Sequence, residues 1–131
     1  FILIALITFS VSAQKKKNGT VYVDHPAIDM IESFQNAWIS GDIEKAYMYT
    51  SPAFKKITSL SEFNEFTNLC PSLSHQEDTY VNARRIENHY GFVNIIRVAK
   101  NGTKTSIAFQ LIKNDGEWLV QNIHCKKDDH V

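Results

Sequence analysis

The sequence has none of the spacings that identify common metal sites or catalytic triads. It contains two cysteines and five histidines, yet no Cys-x-x-Cys, no His-x-x-x-His and no recognisable Ser-His-Asp or Cys-His pattern. Basic and acidic residues number 14 each, so the chain carries no net charge that would attract a phosphate backbone. The one tight basic run, at 15–17, is interpreted as solvated. We therefore expect no metal, no cofactor and no nucleic-acid partner.

The sequence also has no apolar run of the roughly 20 residues that cross a bilayer. The first nine residues are apolar apart from Thr8, and Val11 and Ala13 follow at the positions that a signal peptidase reads. We expect 1–13 to be a signal peptide whose basic start precedes this sequence, and the protein to be periplasmic or secreted. The mature chain is expected to comprise a leader at 14–23, one domain at 24–127 and a tail at 128–131, without a membrane span.

The two cysteines, Cys70 and Cys125, are far apart in the sequence. In an oxidising compartment they can form one disulfide, which would contribute roughly 3 to 4 kcal/mol if unstrained. They can also be two buried free thiols, because the sequence does not show whether their Cα atoms are close. The sequence supports both interpretations.

The first half of the chain predicts helices. After Pro26, which suits a first helical turn, apolar residues recur at spacings of three and four. This stripe consists of Ala27, Met30, Ile31, Phe34, Ala37 and Trp38. Gly41 can end this helix and Asp42 can cap a second one, which Ser51-Pro52 breaks.

A third helix is predicted to begin at Ser59. Glu62 lies three residues further on, at the spacing of a capping box, and Pro71 ends the apolar periodicity. The domain is therefore expected to begin with three helices.

The second half alternates with a period of two and predicts four strands, at 79–87, 92–100, 103–113 and 118–126. Asn101-Gly102 and Asp115-Gly116 lie between the last three strands. Asn-Gly is a strong hairpin signal, because a type I′ turn needs positive φ at both central residues. Helices followed by an antiparallel meander predict an α+β domain with the helices on one face of the sheet.

The turns decide which side chains share a face. A turn centred on Asn101-Gly102 pairs Asn94 with Phe109, and the next turn pairs Phe109 with Asn122. The face expected to meet the helices comprises Phe92, Asn94, Ile96, Val98, Ile107, Phe109, Leu111, Val120, Asn122 and His124. The opposite face is mixed and includes Val93, Ile95 and Arg97.

The three polar residues on the predicted inner face need hydrogen-bond partners, which either a core network or a ligand would supply. A register slip of one residue would turn all three outward. The candidate ligand-binding residues are Asn94, Phe109, Asn122, His124, Tyr47 and Trp38. No catalytic residue is assigned.

A set of structural positions resembles the NTF2-like superfamily, in particular its small exported bacterial domains of unknown function. These positions are Ala37-Trp38, Gly41-Asp42, Ala46-Tyr47, Ser51-Pro52, Phe54 and the run at 116–120. The resemblance implies an α+β cone of the SnoaL and ketosteroid-isomerase type. Three N-terminal helices would pack on a curved four-stranded antiparallel sheet, often with a homodimer through the sheet.

Enzymes of that superfamily use an inward carboxylate as base, and the predicted inner face has no Asp or Glu. His124 is then the remaining candidate base. The first hypothesis is therefore a non-catalytic exported module that binds a small apolar ligand or a protein partner. The alternatives are a small isomerase or cyclase using His124 with Asn94 and Asn122, and an inhibitor or immunity-type protein. An interior cavity of at least about 300 Å³ would favour the small-ligand and enzyme hypotheses.

Overall fold

The computed structural model describes residues 14–17, 20–23 and 25–127, so the predicted signal peptide and tail lie outside the described residues. The helices are α1 (Pro26–Ile39), α2 (Ile43–Met48), α3 (Pro52–Ile57) and α4 (Leu60–Leu69), followed by a 3₁₀ helix (Pro71–Ser74). The strands are β1 (Gln14–Lys17), β2 (Thr20–Val23), β3 (Asp78–Ile86), β4 (Tyr90–Val98), β5 (Lys104–Asn114) and β6 (Glu117–Lys127).

The strands form one six-stranded sheet in the order β1-β2-β3-β4-β5-β6. β3 to β6 correspond to the four predicted strands and are antiparallel, whereas β2 pairs with β3 in parallel. β1 and β2 lie in the segment interpreted as a leader, and the basic run there shows no apolar alternation that would have predicted them. The helices cover one face of β3 to β6, which we call the inner face; the opposite one is the outer face.

Polar side chains fix the starts of the three shorter helices. The carboxylate of Asp42 caps α2, and Ser59 and Glu62 form the predicted capping box of α4 with hydrogen bonds of 3.1 and 2.8 Å. Ser51 accepts a hydrogen bond from the backbone N–H of Phe54 at 3.1 Å. Ser51-Pro52 follows α2, where a break is predicted, and it also begins α3. The described residues therefore form four α-helices instead of the three predicted.

α1 begins at an unusual cap. The Nδ1 atom of His25 accepts a hydrogen bond from the backbone N–H of Ala27 at 3.0 Å, and Pro26 occupies the first helical turn. This bond requires an unprotonated Nδ1. Burial and the nearby positive charge of Arg84 lower the pKa of His25, with a smaller lowering by Lys113 and an opposing effect of Asp29.

This cap predicts a pH dependence of stability. Because the pKa of His25 is lower in the folded state than its ordinary value of 6.5, the unfolded chain takes up the proton first as the pH falls. The contribution of His25 to the free energy of unfolding is therefore complete above its ordinary pKa of 6.5. It is lost as the pH falls from there to the lowered pKa of the folded state. Urea unfolding of the wild type should therefore show decreasing stability from pH 7 towards pH 5.

His25→Asn is the matched control, since Asn caps helices well but does not titrate. Between pH 7 and pH 5, the free energy of unfolding of this variant should fall less than that of the wild type, because the titration of His25 no longer contributes. Equal slopes for the two proteins would contradict the assignment.

The turn between β4 and β5 is not the predicted type I′ turn. Gly102 has a φ of 89°, but among described non-glycine residues only Asp115 has positive φ. The N–H of Gly102 donates to the carbonyl of Ala99 at 2.9 Å, and the N–H of Ala99 donates to the carbonyl of Thr103 at 2.9 Å. The loop therefore contains residues 100–102, as in a type I turn followed by a left-handed glycine.

Aromatic side chains fill the space between the inner face and the helices. The ring centroids of Trp38 and Phe63 are 4.4 Å apart, and those of Phe34 and Phe109 are 5.8 Å apart. The buried strand residues of this core are Val93, Ile95, Ile107, Phe109, Leu111, Trp118 and Val120. Among the described side chains, the interior is a packed core at the place where a ligand cavity was considered.

Candidate functional site

The three-residue loop moves Asn94 to the outer face. Val93 lies opposite Phe109, and Asn94 lies opposite Ala108. The predicted register was therefore wrong by one residue, and Val93, Ile95 and Arg97 face the core instead of Asn94 and its neighbours. Asn94 is half-buried, and its Oδ1 accepts a hydrogen bond from the hydroxyl of Ser106 at 3.0 Å.

A β-bulge moves Asn122 and His124 outward in the same way. The turn is centred on Asp115-Gly116 and Leu111 pairs with Val120, as predicted, and both turn residues have positive φ. Beyond that pair the register shifts, so that Phe109 lies opposite Ile123. Asn122 and His124 are exposed on the outer face. Their assignment to an inner pocket was wrong, because one additional residue reverses the alternation.

The apolar members of the predicted pocket remain inside, where they pack against other described core residues. Phe109 and Trp38 are buried in the aromatic core. The half-buried Tyr47 donates its hydroxyl to the carbonyl of Thr58 at 2.8 Å, which fixes it between helices. The six predicted residues are thus divided between the core and the outer face.

One recess lies on the outer face, and a second adjoins it at the β6 edge of the sheet, between α3 and the strand. The larger has a volume of about 480 Å³ and is lined by Arg85, Glu87, Tyr90, Gly91, Phe92, Gln110, Leu111, Ile112 and Gln121. The smaller has a volume of about 270 Å³ and is lined by Ala53, Phe54, Ile57, Thr58, Gln110, Gln121 and Asn122. Gln110 and Gln121 line both recesses, so we treat them as one site, the outer trough.

The bulge in β6 concentrates side-chain amides in this trough. Asn122 pairs with Gln110, whereas Gln121 is the additional residue between the pairs of Asn122 and Val120. Gln121 and Asn122, although consecutive, therefore both line the recess beside Gln110. A regular strand would send consecutive side chains to opposite faces.

Hydrogen bonds fix the orientation of two of these amides. The hydroxyl of Ser51 accepts from the N–H of Phe54, so its proton is directed to Oε1 of Gln121, at 2.7 Å. The Oδ1 of Asn122 accepts from the N–H of Ile123 at 2.9 Å. Both carbonyl oxygens are thus engaged by the protein, and the two NH₂ groups remain as donors at the surface of the trough.

Exposed aromatic rings and an ion pair complete the trough. Tyr90 is 66% exposed and Phe92 is 41% exposed, two residues apart on β4. Arg85 and Glu87 form a salt bridge of 3.2 Å, so the positive charge at this end is balanced locally. The surface combines aromatic area with neutral polar groups.

A third recess, of about 480 Å³, lies between the helices and the β5–β6 turn. Its apolar residues include Met30, Met48, Tyr49, Trp118 and Leu119. Asp29, Lys45 and Glu117 add charges of both signs to its lining.

A buried arginine lies away from the trough, where the sequence had predicted an outer-face residue. Arg97 is 2% exposed, and it donates to the backbone carbonyls of Ser72 and His75. Its Nε lies 3.9 Å from Oε1 of Glu77, which also accepts a hydrogen bond from the hydroxyl of Ser72 at 2.7 Å. This network connects β4 to the segment before β3 and has a structural role.

Cys70 and Cys125 form a disulfide, with their Cα atoms 5.9 Å apart. It joins the end of α4 to β6. Of the two interpretations that the sequence left open, the structure contains the bridge.

In the described part of the chain, no three His, Cys, Asp or Glu side chains are grouped so that they could hold a metal ion. No described helix has the length and apolar character needed to cross a membrane.

The sequence of β6 contains a signal for the bulge that forms part of the trough. In β6 the apolar residues Trp118 and Val120 are followed by Ile123 and Cys125, so the alternation skips one position between 120 and 123. One additional residue in the alternation of a strand indicates a bulge.

Known proteins resemble this chain in fold. No family model matches the chain, and no curated protein sequence matches it. Among solved structures, an NTF2-like protein of unknown function from Silicibacter pomeroyi superposes with a TM-score of 0.59 at 8% identity, over 79% of this chain and 93% of that one. The fold is NTF2-like.

Two further NTF2-like proteins of unknown function support this assignment. The one from Shewanella baltica has a TM-score of 0.58 at 12% identity, over 81% of this chain and 94% of the other. The one from Methylobacillus flagellatus has a TM-score of 0.58 at 14% identity, over 79% and 90%. The predicted NTF2-like, curved α+β architecture is thereby confirmed. An NTF2-like fold does not itself define an activity, so function must be inferred from the site.

Proposed function

We propose that this chain is an exported, non-catalytic binding module that holds its ligand or protein partner on the outer face of its NTF2-like sheet. The observation that carries the proposal is the outer trough, where two recesses share oriented amides and exposed aromatic rings. The aromatic core occupies the interior, which is where a small apolar ligand was first expected.

Export is supported by two independent features. The apolar start with Val11 and Ala13 is typical of a signal peptide. The Cys70–Cys125 disulfide is a feature of proteins that work in oxidising compartments such as the periplasm.

The residues of the isomerase or cyclase hypothesis do not lie in an enclosed interior: Asn94 and His124 flank Ala108 on the open face of the sheet, with Asn122 two residues along β6. Asn94, Asn122 and His124 are on the outer face, and the described inner-face positions of β4, β5 and β6 carry no Asp or Glu. Glu77, which is near the core, is engaged by Arg97 and Ser72. This arrangement favours binding over proton transfer. The inhibitor or immunity hypothesis is one form of a protein partner at the outer face.

Native mass spectrometry of protein purified from its own exported fraction tests the proposal. We expect a bound mass, lost on denaturation, in the wild type. Phe92→Glu should remove it, because a carboxylate would be buried against the ligand in the trough. Leu69→Glu is the matched control, since Leu69 is 76% exposed on α4 and does not line the trough.

A bound mass that persists in Phe92→Glu would place the binding surface elsewhere. A wild type without bound mass would contradict the small-ligand form of the proposal and would favour a protein partner. Equal loss in Leu69→Glu would show a general effect of added charge.

A further inference from the structure

We propose that the outer trough binds a neutral oligosaccharide that carries acetamido groups. This inference rests on the proposed function, since it names the ligand class of the same surface. It follows from the direction of the amide donors, the charge balance, the aromatic rings and the shape of the smaller recess.

The amide donors call for a ligand rich in oxygen acceptors. Gln121 and Asn122 have their carbonyl oxygens engaged by Ser51 and by the N–H of Ile123, and so they offer NH₂ groups. Sugars present hydroxyl, ring, glycosidic and acetamido carbonyl oxygens at high density. Gln110 and Glu87, also in the trough, can accept from the sugar hydroxyls.

The charge of the trough favours a neutral ligand. Arg85 is its cation in the larger recess, and the carboxylate of Glu87 lies 3.2 Å away. A phosphate or carboxylate ligand would have to compete with this carboxylate. A hydroxyl group can bind beside the pair without disrupting it.

The aromatic rings provide apolar area of the appropriate kind. Tyr90 and Phe92 remain substantially exposed although they lie on a sheet. Their rings can stack against the C–H faces of pyranose rings, which are apolar between rims of hydroxyl groups. Ligand sites commonly combine such apolar walls with a few oriented polar groups.

The smaller recess is suited to an acetamido group. Ile57, which is 82% exposed, and Phe54 form its apolar wall on α3, and the amides of Gln121 and Asn122 form its other side. The methyl group would contact α3 while the carbonyl accepts from an amide NH₂. A plain hydroxyl would leave this apolar wall uncovered.

The extent and backbone of the trough favour an oligosaccharide over a peptide. It runs from Arg85 on β3 to Asn122 on β6, across about 14 Å of sheet at the usual strand spacing. β4 and β5 are paired on both sides, and at Val120 the outer edge of β6 is paired with the segment 49–51, so a peptide could not add at these positions as a strand.

Titration of the ¹⁵N-labelled mature chain with tetra-N-acetylchitotetraose, called chitotetraose below, followed by two-dimensional NMR, tests the proposal. We expect shifts in the side-chain NH₂ signals of Gln121 and Asn122 and in the backbone signals of 90–92. Cellotetraose, which has the same linkage but no acetamido groups, should bind more weakly.

Two variants test the residues. Gln121→Glu keeps an oxygen for Ser51 but removes the donor, and Phe92→Ala removes an aromatic ring. Each should weaken chitotetraose binding by about tenfold, as expected for losing one good contact. Leu69→Ala should bind like the wild type, and spectra of all variants show whether they fold.

Four outcomes would overturn the proposal. Absence of shifts with both sugars excludes this ligand class, and equal affinity for both excludes the acetamido assignment. Shifts confined to the groove at Met48 place the sugar elsewhere. A concentration-dependent dimer that protects Phe92 makes a second copy of the chain the occupant.

The failure of this inference can be distinguished from the failure of the proposed function. If neither sugar binds but Phe92→Glu still removes the native bound mass, the outer trough remains the binding surface and only the ligand class is wrong. If the bound mass also persists in Phe92→Glu, both proposals are wrong.

Discussion

Reduction of the Cys70–Cys125 disulfide should lower the free energy of unfolding by about 4 kcal/mol. The bridge joins residues separated by 55 positions, and a cross-link that closes a loop of this length strongly restricts the unfolded chain. The loop contains β3, β4 and β5, so most of the sheet lies between the two cysteines.

Urea unfolding with and without reductant measures this contribution. The control is Cys70→Ala/Cys125→Ala, whose midpoint should not respond to the reductant. Cys70 is fully buried, so the variant also loses some packing and should be slightly less stable than the reduced wild type. An unchanged midpoint of the wild type on complete reduction would show that the bridge adds no stability.

Arg97→Met should destabilise the domain by about 3 kcal/mol or more, because it removes one partner of a buried polar network. The carbonyls of Ser72 and His75 would lose a charged donor, and the carboxylate of Glu77, with 11% of its side chain exposed, would lose its cation. A buried polar group that has lost its partner lowers the stability by more than the original interaction contributed. The loss should appear as a lower denaturation midpoint.

A second change should restore part of the loss. Glu77→Gln in the Arg97→Met background neutralises the remaining carboxylate while keeping an acceptor for Ser72. The double variant should therefore be more stable than the sum of the single effects predicts. Strict additivity would show that the two side chains do not interact.

The ion pair of Arg85 and Glu87 provides a matched comparison. Its atoms are closer, at 3.2 Å against 3.9 Å, but its side chains are 82% and 61% exposed. Arg85→Met should therefore change stability by less than about 1 kcal/mol, since solvent screens exposed pairs. A larger effect than that of Arg97→Met would contradict the view that burial decides these contributions.

The proposed binding surface lies on the opposite side of the sheet from the interior that an enzyme with an inward base would use. An enzyme with an inward base needs a cavity between sheet and helices, and here Phe34, Trp38, Phe63 and Phe109 pack there. The outer face carries the oriented amides instead. Surface recognition is therefore the basis of the proposed function.

Several features could be predicted from the sequence because they depend on neighbouring residues. The stripe at spacings of three and four specified the buried side of α1, and Asp42 and the Ser59–Glu62 pair specified helix starts. The position of the turn at Asp115-Gly116 followed from the turn residues between the last two predicted strands. The α+β class followed from the change of period along the chain.

The faces of β4 and β6 were decided only in the tertiary structure. In β4 both sets of alternate residues contain apolar side chains, so the pattern did not choose between Val93 with Ile95 and Phe92 with Ile96. The loop after β4 made the choice by containing three residues instead of two. One residue reverses every side chain of a strand, which moved Asn94 out of the predicted pocket.

By itself the sequence determined the order of helices and strands, the main helix caps and the position of the last turn, since each depends on residues a few positions apart. The tertiary structure decided which polar side chains meet, because this depends on register across neighbouring strands. The bulge that places Gln121 and Asn122 beside Gln110 is such a case. The packed interior and the Cys70–Cys125 contact are others, since both join residues that are distant in the chain.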